Sequence, residues 1–113
     1  MVANHYIPDR GDIVWLNFTP QTGREQQGKR PAIVMSPKAY NNKARLALFC
    51  PITTKQKGYP FEVKLMTGKI KGVVLSDQLK SLDWQQREIE FIEKATEASM
   101  NEIIKKLSVL IFV

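Results

Sequence analysis

A small, strongly curved antiparallel β-sheet or barrel closed by a C-terminal helix is the fold class this 113-residue sequence predicts. Two observations carry the prediction. Short runs rich in β-branched and aromatic residues follow one another closely, separated by proline, glycine and asparagine, the pattern of a compact all-β unit. The period then changes near the C-terminus, where Met100, Ile103, Ile104, Leu107, Leu110 and Ile111 recur at spacings of three and four, which lines one face of an amphipathic helix. The length suits one domain spanning residues 1–113.

The first strand is read at Asp12–Phe18, bounded by Gly11 and Pro20. Alternation puts Val14, Leu16 and Phe18 on one wholly apolar face, the expected core, and Ile13, Trp15 and Asn17 on the other. Further strands are expected at 32–36, 46–52, 61–65 and 72–76, with an extension through 79–84. Pro31, Pro37, Pro51 and Pro60 fall at or near the ends of these runs, where a missing ladder donor does least harm. Tyr40-Asn41-Asn42-Lys43 reads as a turn, and 55–60 and 68–71 as exposed loops. Residues 87–93 alternate like a strand, with a short helix near Ser81 as the other reading. Thr96 is the expected N-cap of the last helix, Glu97 complements its positive end, and Lys105 and Lys106 lie toward its negative end. That helix is expected to close one end of the barrel.

Charge and composition narrow the chemistry. Seventeen Lys and Arg against eleven Asp and Glu leave a net charge of +6, which fits a polyanionic partner, nucleic acid first, with a charge that only keeps a small domain soluble as the other reading from charge alone. Cys50 is the only cysteine and His5 the only histidine. A disulfide, a zinc site or a two-histidine acid–base pair therefore cannot be assembled within one subunit. Cys50 sits among Leu48, Phe49 and Ile52, which predicts a buried, inert thiol in a reducing compartment. No apolar leader is read at the N-terminus, and the run 109–113 is too short to span a bilayer, so a cytoplasmic protein without membrane contact is expected.

The densest chemistry lies in Gly23-Arg24-Glu25-Gln26-Gln27-Gly28-Lys29-Arg30-Pro31, a polar loop running into the apolar stretch Ala32-Ile33-Val34-Met35. Loops anchored on stiff strands commonly present reactive groups. Trp15 with Asn17, Glu25 with Arg30, Thr53 with Thr54, and Gln78 with Lys80 each stand at a strand end or outer face. Brought together, they would form one shallow basic site with an aromatic platform, suited to single-stranded nucleic acid. The blander readings are a surface ion pair for Glu25 and Arg30, strand-ending threonines, a core tryptophan, and a solvated face for Gln78 and Lys80.

Five ordered segments resemble the MazF/PemK toxin endoribonuclease family: Gly11-Asp12-Ile13-Val14-Trp15, the Glu25-Gln26-x-Gly28-x-Arg30-Pro31-Ala32 loop, Pro51-Ile52-Thr53-Thr54, Gly58-Tyr59-Pro60-Phe61-Glu62-Val63 and Gly72-Val73-Val74-Leu75-Ser76-Asp77-Gln78. The likeness extends from about Tyr6 to the C-terminus. It implies an SH3-like antiparallel barrel of the CcdB/PemK toxin type with a C-terminal amphipathic helix, a homodimer, and sequence-selective, cofactor-free and metal-independent cleavage of single-stranded RNA. It implies catalytic roles for Arg30 and Thr53, with Glu25 a further contributor. It also implies a cognate antitoxin whose acidic, disordered tail covers the basic site, with operator DNA reached only through that antitoxin.

Chemistry refines these roles. A guanidinium suits phosphate recognition and charge stabilisation better than proton abstraction, which assigns Arg30 to the phosphoryl oxygens and leaves Glu25 as the better base. Thr53 is the expected hydrogen-bond donor to a phosphoryl oxygen. Trp15, Asn17, Lys29, Thr54, Lys57, Gln78 and Lys80 complete the expected substrate-binding set. Asn17 departs from the acidic residue that the family often carries two positions after the strand-one tryptophan, which bears on base preference or pH dependence. The alternatives are a non-enzymatic CcdB-like gyrase inhibitor and a passive nucleic-acid-binding barrel. The C-terminal Leu110-Ile111-Phe112-Val113 lacks the Trp-Gly-Ile ending of the gyrase inhibitors.

Overall fold

The structure is a computed structural model that describes residues 5–18 and 28–112. Its strands are β1 (Asp12–Asn17), β2 (Lys29–Val34), β3 (Ala47–Thr53), β4 (Glu62–Met66), β5 (Lys71–Leu75), β6 (Lys80–Leu82) and β7 (Glu90–Lys94), with helices α1 (Lys38–Ala44) and α2 (Glu97–Phe112). All pairings are antiparallel in the order β4-β5-β3-β2-β1-β7, and β6 branches from β3. The sheet curls into a half-barrel. Its two outer strands are linked through the β4–β5 turn, where the Thr67 hydroxyl donates to the Glu93 carboxylate and the Lys69 N–H reaches the same oxygen at 3.2 Å.

Curling buries both faces of the central strands. Ile13, Ile33, Cys50 and Ile52 face one apolar cluster with Val63, Leu65, Met100 and Ile103. Val14, Leu16, Ala32, Val34 and Phe49 face a second with Trp84 and Ile89. The expectation of a single core face on β1 is therefore corrected: Ile13 is as fully buried as Val14 and Leu16, whereas Phe18 is only half-buried. Alternation reveals which residues share a face, but not whether the sheet bends far enough to cover both.

The prolines also lie further inside the strands than expected. Pro31 is the third residue of β2, but β2–β3 pairing starts at Ala32. Pro51 lies between the part of β3 that pairs with β6 (Ala47–Phe49) and the part that pairs with β5 (Ile52–Thr53). Each missing N–H thus falls where a neighbouring ladder has a gap.

Residues 40–43 form part of α1 rather than a turn. Asn41 is wholly buried; its Nδ2 donates to the carbonyls of Pro8 (2.7 Å) and Ser36 (2.9 Å), its Oδ1 accepts from the Ser36 hydroxyl (2.6 Å), and its carbonyl accepts from Trp84 Nε1 (3.2 Å). A satisfied buried amide overrides asparagine's weak helix propensity. Between β6 and β7 a 3-10 turn spans Trp84–Gln86, with the Asp83 side chain accepting from the Gln85 N–H. The expected extension through 79–84 thus ends at Leu82, while 90–94 is a strand as read.

Thr96 caps α2 as read, its hydroxyl accepting from the Ser99 N–H at 3.1 Å. Met100 and Ile103 anchor the helix in the first cluster, and α2 packs against β4. Lys106 does not complement the helix's negative end. It donates instead to the carbonyls of Pro60 (2.7 Å) and Glu62 (3.2 Å). The apolar face is covered only over its first half: Ile104, Val109, Leu110, Ile111 and Phe112 remain exposed.

Candidate active site

Arg30 is the second residue of β2 and pairs in register with Leu16, while the next residue, Pro31, pairs with Trp15. The end of β3 supplies Thr53, and the β4–β5 turn curls over to meet it. Together they enclose an open cavity of about 490 Å³ lined by Trp15, Arg30 and Pro31 from β1 and β2, by Ile52, Thr53, Thr54 and Lys55 from β3 and its exit, and by Lys69, Ile70 and Lys71. Its apolar lining is Trp15, Pro31, Ile52 and Ile70. Among the described lining residues there are four cations and no carboxylate, an arrangement suited to a polyanion that also carries flat apolar rings.

The Thr53 hydroxyl accepts from the Lys55 N–H at 3.1 Å. With a lone pair so engaged, its own proton is free to point elsewhere, making the side chain a directed donor. Thr53 also lines a second hollow of about 180 Å³ with Lys55, Lys57, Tyr59, Glu62, Leu75 and Gln78. Glu62 shapes that hollow by accepting from the N–H groups of Lys57 (3.0 Å) and Gly58 (3.1 Å). Two adjoining hollows with Thr53 between them can hold successive nucleotides on either side of one phosphate.

The geometry thus brings together Trp15, Arg30, Thr53 and Thr54, and sets Lys57 and Gln78 beside them. Glu25 lies outside the described residues. Three expected members are placed otherwise. Asn17 is 5% exposed and not among the lining residues, because the chain at Arg87 closes over the end of β1 and receives the Asn17 N–H at 3.0 Å. Lys29 faces Glu90 at 3.9 Å. Lys80 stands 5.6 Å from the centre of the Phe18 ring, a residue packed on the second core cluster.

Lys55, Lys69 and Lys71 are the cavity cations that sequence reasoning passed over. The signal was present in Lys69-Ile70-Lys71, whose alternation puts two cations around an apolar residue. Only the β4–β5 fold brings that loop to β3. Trp15 is 36% exposed against 4% for Trp84, so β1 presents an indole to the cavity while the other tryptophan serves the core. Cys50 is fully buried, and burial together with the Asp77 charge pushes its thiol up to about 12, consistent with the inert role expected of it. Among the described residues no group of three or more His, Cys, Asp or Glu is placed to hold a metal ion.

Comparison with known proteins converges on one family. Residues 9–111 match the family described as PemK-like, MazF-like toxin of type II toxin-antitoxin system. The chain is 50% identical over 86 residues to the endoribonuclease toxin MazF of Escherichia coli K12, covering 76% of this chain and 78% of that protein. It superimposes on the crystal structure of MazF from Deinococcus radiodurans with a TM-score of 0.85 and 49% identity, covering 96% of this chain and 99% of the other. A MazE–MazF complex from the same organism matches at a TM-score of 0.85 and 44% identity over 96% of this chain and 98% of that one.

Proposed function

Because the chain belongs to the PemK-like, MazF-like toxins of type II toxin-antitoxin systems and is an endoribonuclease, we propose that it cuts single-stranded RNA, messenger RNA included, at the basic cavity between Arg30 and Thr53, thereby inhibiting translation and growth. The observation that carries this reading is the convergence of Trp15, Arg30, Thr53 and Thr54 on one cavity whose charged lining residues, among those described, are all cations.

RNA brings its own nucleophile. The 2'-oxygen attacks the adjacent phosphorus in line, its proton leaves to a base, and the bond to the 5'-oxygen breaks as that oxygen takes up a proton. The products are a 2',3'-cyclic phosphate and a 5'-hydroxyl end. This displacement asks the protein for orientation and charge stabilisation rather than a resident cofactor or metal. Arg30 donates its planar fork to the phosphoryl oxygens as charge develops, and Thr53 donates to a phosphoryl oxygen with its hydroxyl held by Lys55. Glu25 is the carboxylate assigned to proton removal. Trp15 stacks a base, Lys55, Lys69 and Lys71 hold flanking phosphates, and Thr54, Lys57 and Gln78 contact the neighbouring nucleotide. Lys29 and Lys80 contribute charge at longer range.

We further propose a homodimer, supported by the exposed run Val109, Leu110, Ile111 and Phe112 on α2, an apolar surface that a second copy would cover. An acidic, disordered antitoxin segment is the partner that fits the cationic cavity, operator DNA being bound only through that antitoxin. No described helix is long and apolar enough to cross a membrane, and a cytoplasmic location suits a messenger RNA substrate.

The test is a long single-stranded RNA incubated in EDTA with the wild type and with Arg30→Ala, the cut ends being mapped. Discrete cuts by the wild type alone, leaving 5'-hydroxyl ends and vanishing when the scissile 2'-hydroxyl is replaced by hydrogen, are expected. Growth inhibition without cleavage would instead favour gyrase inhibition or passive binding.

A further inference from the structure

The β1–β7 ladder stops at Trp15↔Glu90, two residues short of the end of β1 at Asn17. Glu88 then turns the chain with φ of 53°, a left-handed conformation strained for a residue other than glycine. The turn delivers Arg87 to the end of β1 beyond that ladder. Its carbonyl accepts the Asn17 N–H at 3.0 Å, and its Nη1 donates to the carbonyls of Asn17 (3.2 Å) and Phe18 (2.7 Å). On the other side Asn17 pairs with Lys29, and the Phe18 N–H donates to the Gly28 carbonyl at 2.8 Å.

The guanidinium is half-buried, and among the described residues its buried Nε has no hydrogen-bond partner and no carboxylate pairs with it. Withdrawing a cation from water for two carbonyls is costly unless the bonds fix something. What they fix is the strand end from which the cavity is built, since Arg30 pairs with Leu16 immediately beside Asn17.

We propose that Arg87 is a positioning residue for RNA cleavage: it takes the place of the missing β7 at the end of β1 and holds the β1–β2 register that aims Trp15 and Arg30 into the cavity. This rests on the assignment of the cavity under Proposed function. Arg87 is not among the cavity's lining residues, so it acts through those strands and not by touching RNA. Strand ends fray when their ladders are incomplete, and a displacement near 1 Å at a reacting group lowers turnover on the order of a hundredfold.

Arg87→Met and Arg87→Lys, assayed beside Arg30→Ala and the wild type, test it together with amide exchange. In Arg87→Met, kcat is expected to fall about tenfold or more while KM moves less than about threefold. The Phe18 amide should exchange faster while the amides of β5 keep their protection. Lysine should restore most of both, because both bonds leave a single nitrogen. Wild-type kcat in Arg87→Met overturns the proposal, as does a loss confined to KM with a shallower salt dependence, which would mark a direct phosphate contact. Should the methionine variant not fold, Arg87→Gln replaces it: a lowered kcat with faster Phe18 exchange supports the proposal, and an unchanged kcat overturns it. Undiminished cleavage by Arg30→Ala would defeat the cavity assignment, leaving the exchange arm to decide the clamp. An inactive Arg30→Ala beside a fully active Arg87→Met defeats the clamp alone.

Discussion

A Cβ placed on Gly72 would stand 2.5 Å from the carbonyl oxygen of Thr53. The same atom would meet Ile52 Cγ2 at 3.3 Å, and Gly72 adopts φ of 155°. Strands β3 and β5 therefore close against each other directly behind the threonine assigned to phosphate, and only a hydrogen fits between them. Gly72→Ala is expected to destabilise the fold by about 1–3 kcal/mol through overpacking. It should also lower cleavage well beyond the unfolded fraction, because the backbone carrying Thr53 must shift. Thermal unfolding measured with kcat checks both; wild-type turnover in a folded Gly72→Ala would contradict the second.

Thr53 itself separates a hydroxyl requirement from a packing one. Thr53→Val keeps the volume but removes the hydroxyl that accepts from Lys55 and that is proposed to donate to phosphate. A lost transition-state donor lowers kcat by about a hundredfold or more, and Thr53→Ser should retain most activity. Equal activity of the valine and serine variants would exclude the hydroxyl from the chemistry.

Trp15 offers an optical readout, since it is the more exposed of the two tryptophans and Trp84 is buried with its Nε1 bonded to Asn41. Binding of an RNA analogue lacking the scissile 2'-hydroxyl should quench fluorescence in the wild type but not in Trp15→Phe. Trp15→Ala should weaken binding by about 1–3 kcal/mol, the range for one base stacked on an aromatic ring. Quenching that persists in Trp15→Phe would place the RNA elsewhere.

These residues also show what the sequence makes legible. That Trp15, Arg30 and Thr53 share one cavity is legible because each stands near a strand end, and the β-pattern marks strand ends well. Lys69 and Lys71 were missed because no local pattern tells where a hairpin tip lands after the sheet curls. Asn17 shows a related limit: alternation puts it beside Trp15, but the left-handed turn at Glu88 returns the Arg87 carbonyl to its N–H, and Asn17 is buried and outside the cavity lining. Asn41 reads as a turn because asparagine usually makes one, while two bonds to Ser36 and long-range bonds to Pro8 and Trp84 hold it within a helix. In each case the deciding contact joins segments far apart in the chain.

A last prediction concerns pH. The Tyr6 hydroxyl donates to the Asp12 carboxylate, and Lys94 Nζ bonds Asp12 at 2.9 Å and faces Asp9 at 3.6 Å, tying the N-terminal segment to β1 and β7. Burial, followed by the Asp12 bond, raises the Tyr6 phenol above its ordinary 10.0. For Lys94, partial burial works downward, but the bond and charge of Asp12 outweigh it and raise the amine above 10.5. Groups raised in the folded state contribute stability that is complete below their unfolded values and is lost as pH rises through the folded ones. Stability should therefore begin to fall near pH 10 as the unfolded Tyr6 ionises, and further above 10.5 as Lys94 joins. Asp9 runs the other way: burial opposes the shift, yet the N–H groups of Lys38 and Arg10 and the Lys94 charge hold its carboxyl below 3.8. Its contribution is present above that value and lost as pH falls through the depressed one. Urea unfolding from pH 3 to 11 should show a plateau between these limits. The fall above pH 10 should be shallower in Tyr6→Phe and shallower still in Tyr6→Phe/Lys94→Met, whereas the acid side should flatten most in Asp9→Asn, less in the double variant, which loses the Lys94 charge beside Asp9, and not in Tyr6→Phe alone. An alkaline slope unchanged in the double variant would mean that this cluster does not govern the transition.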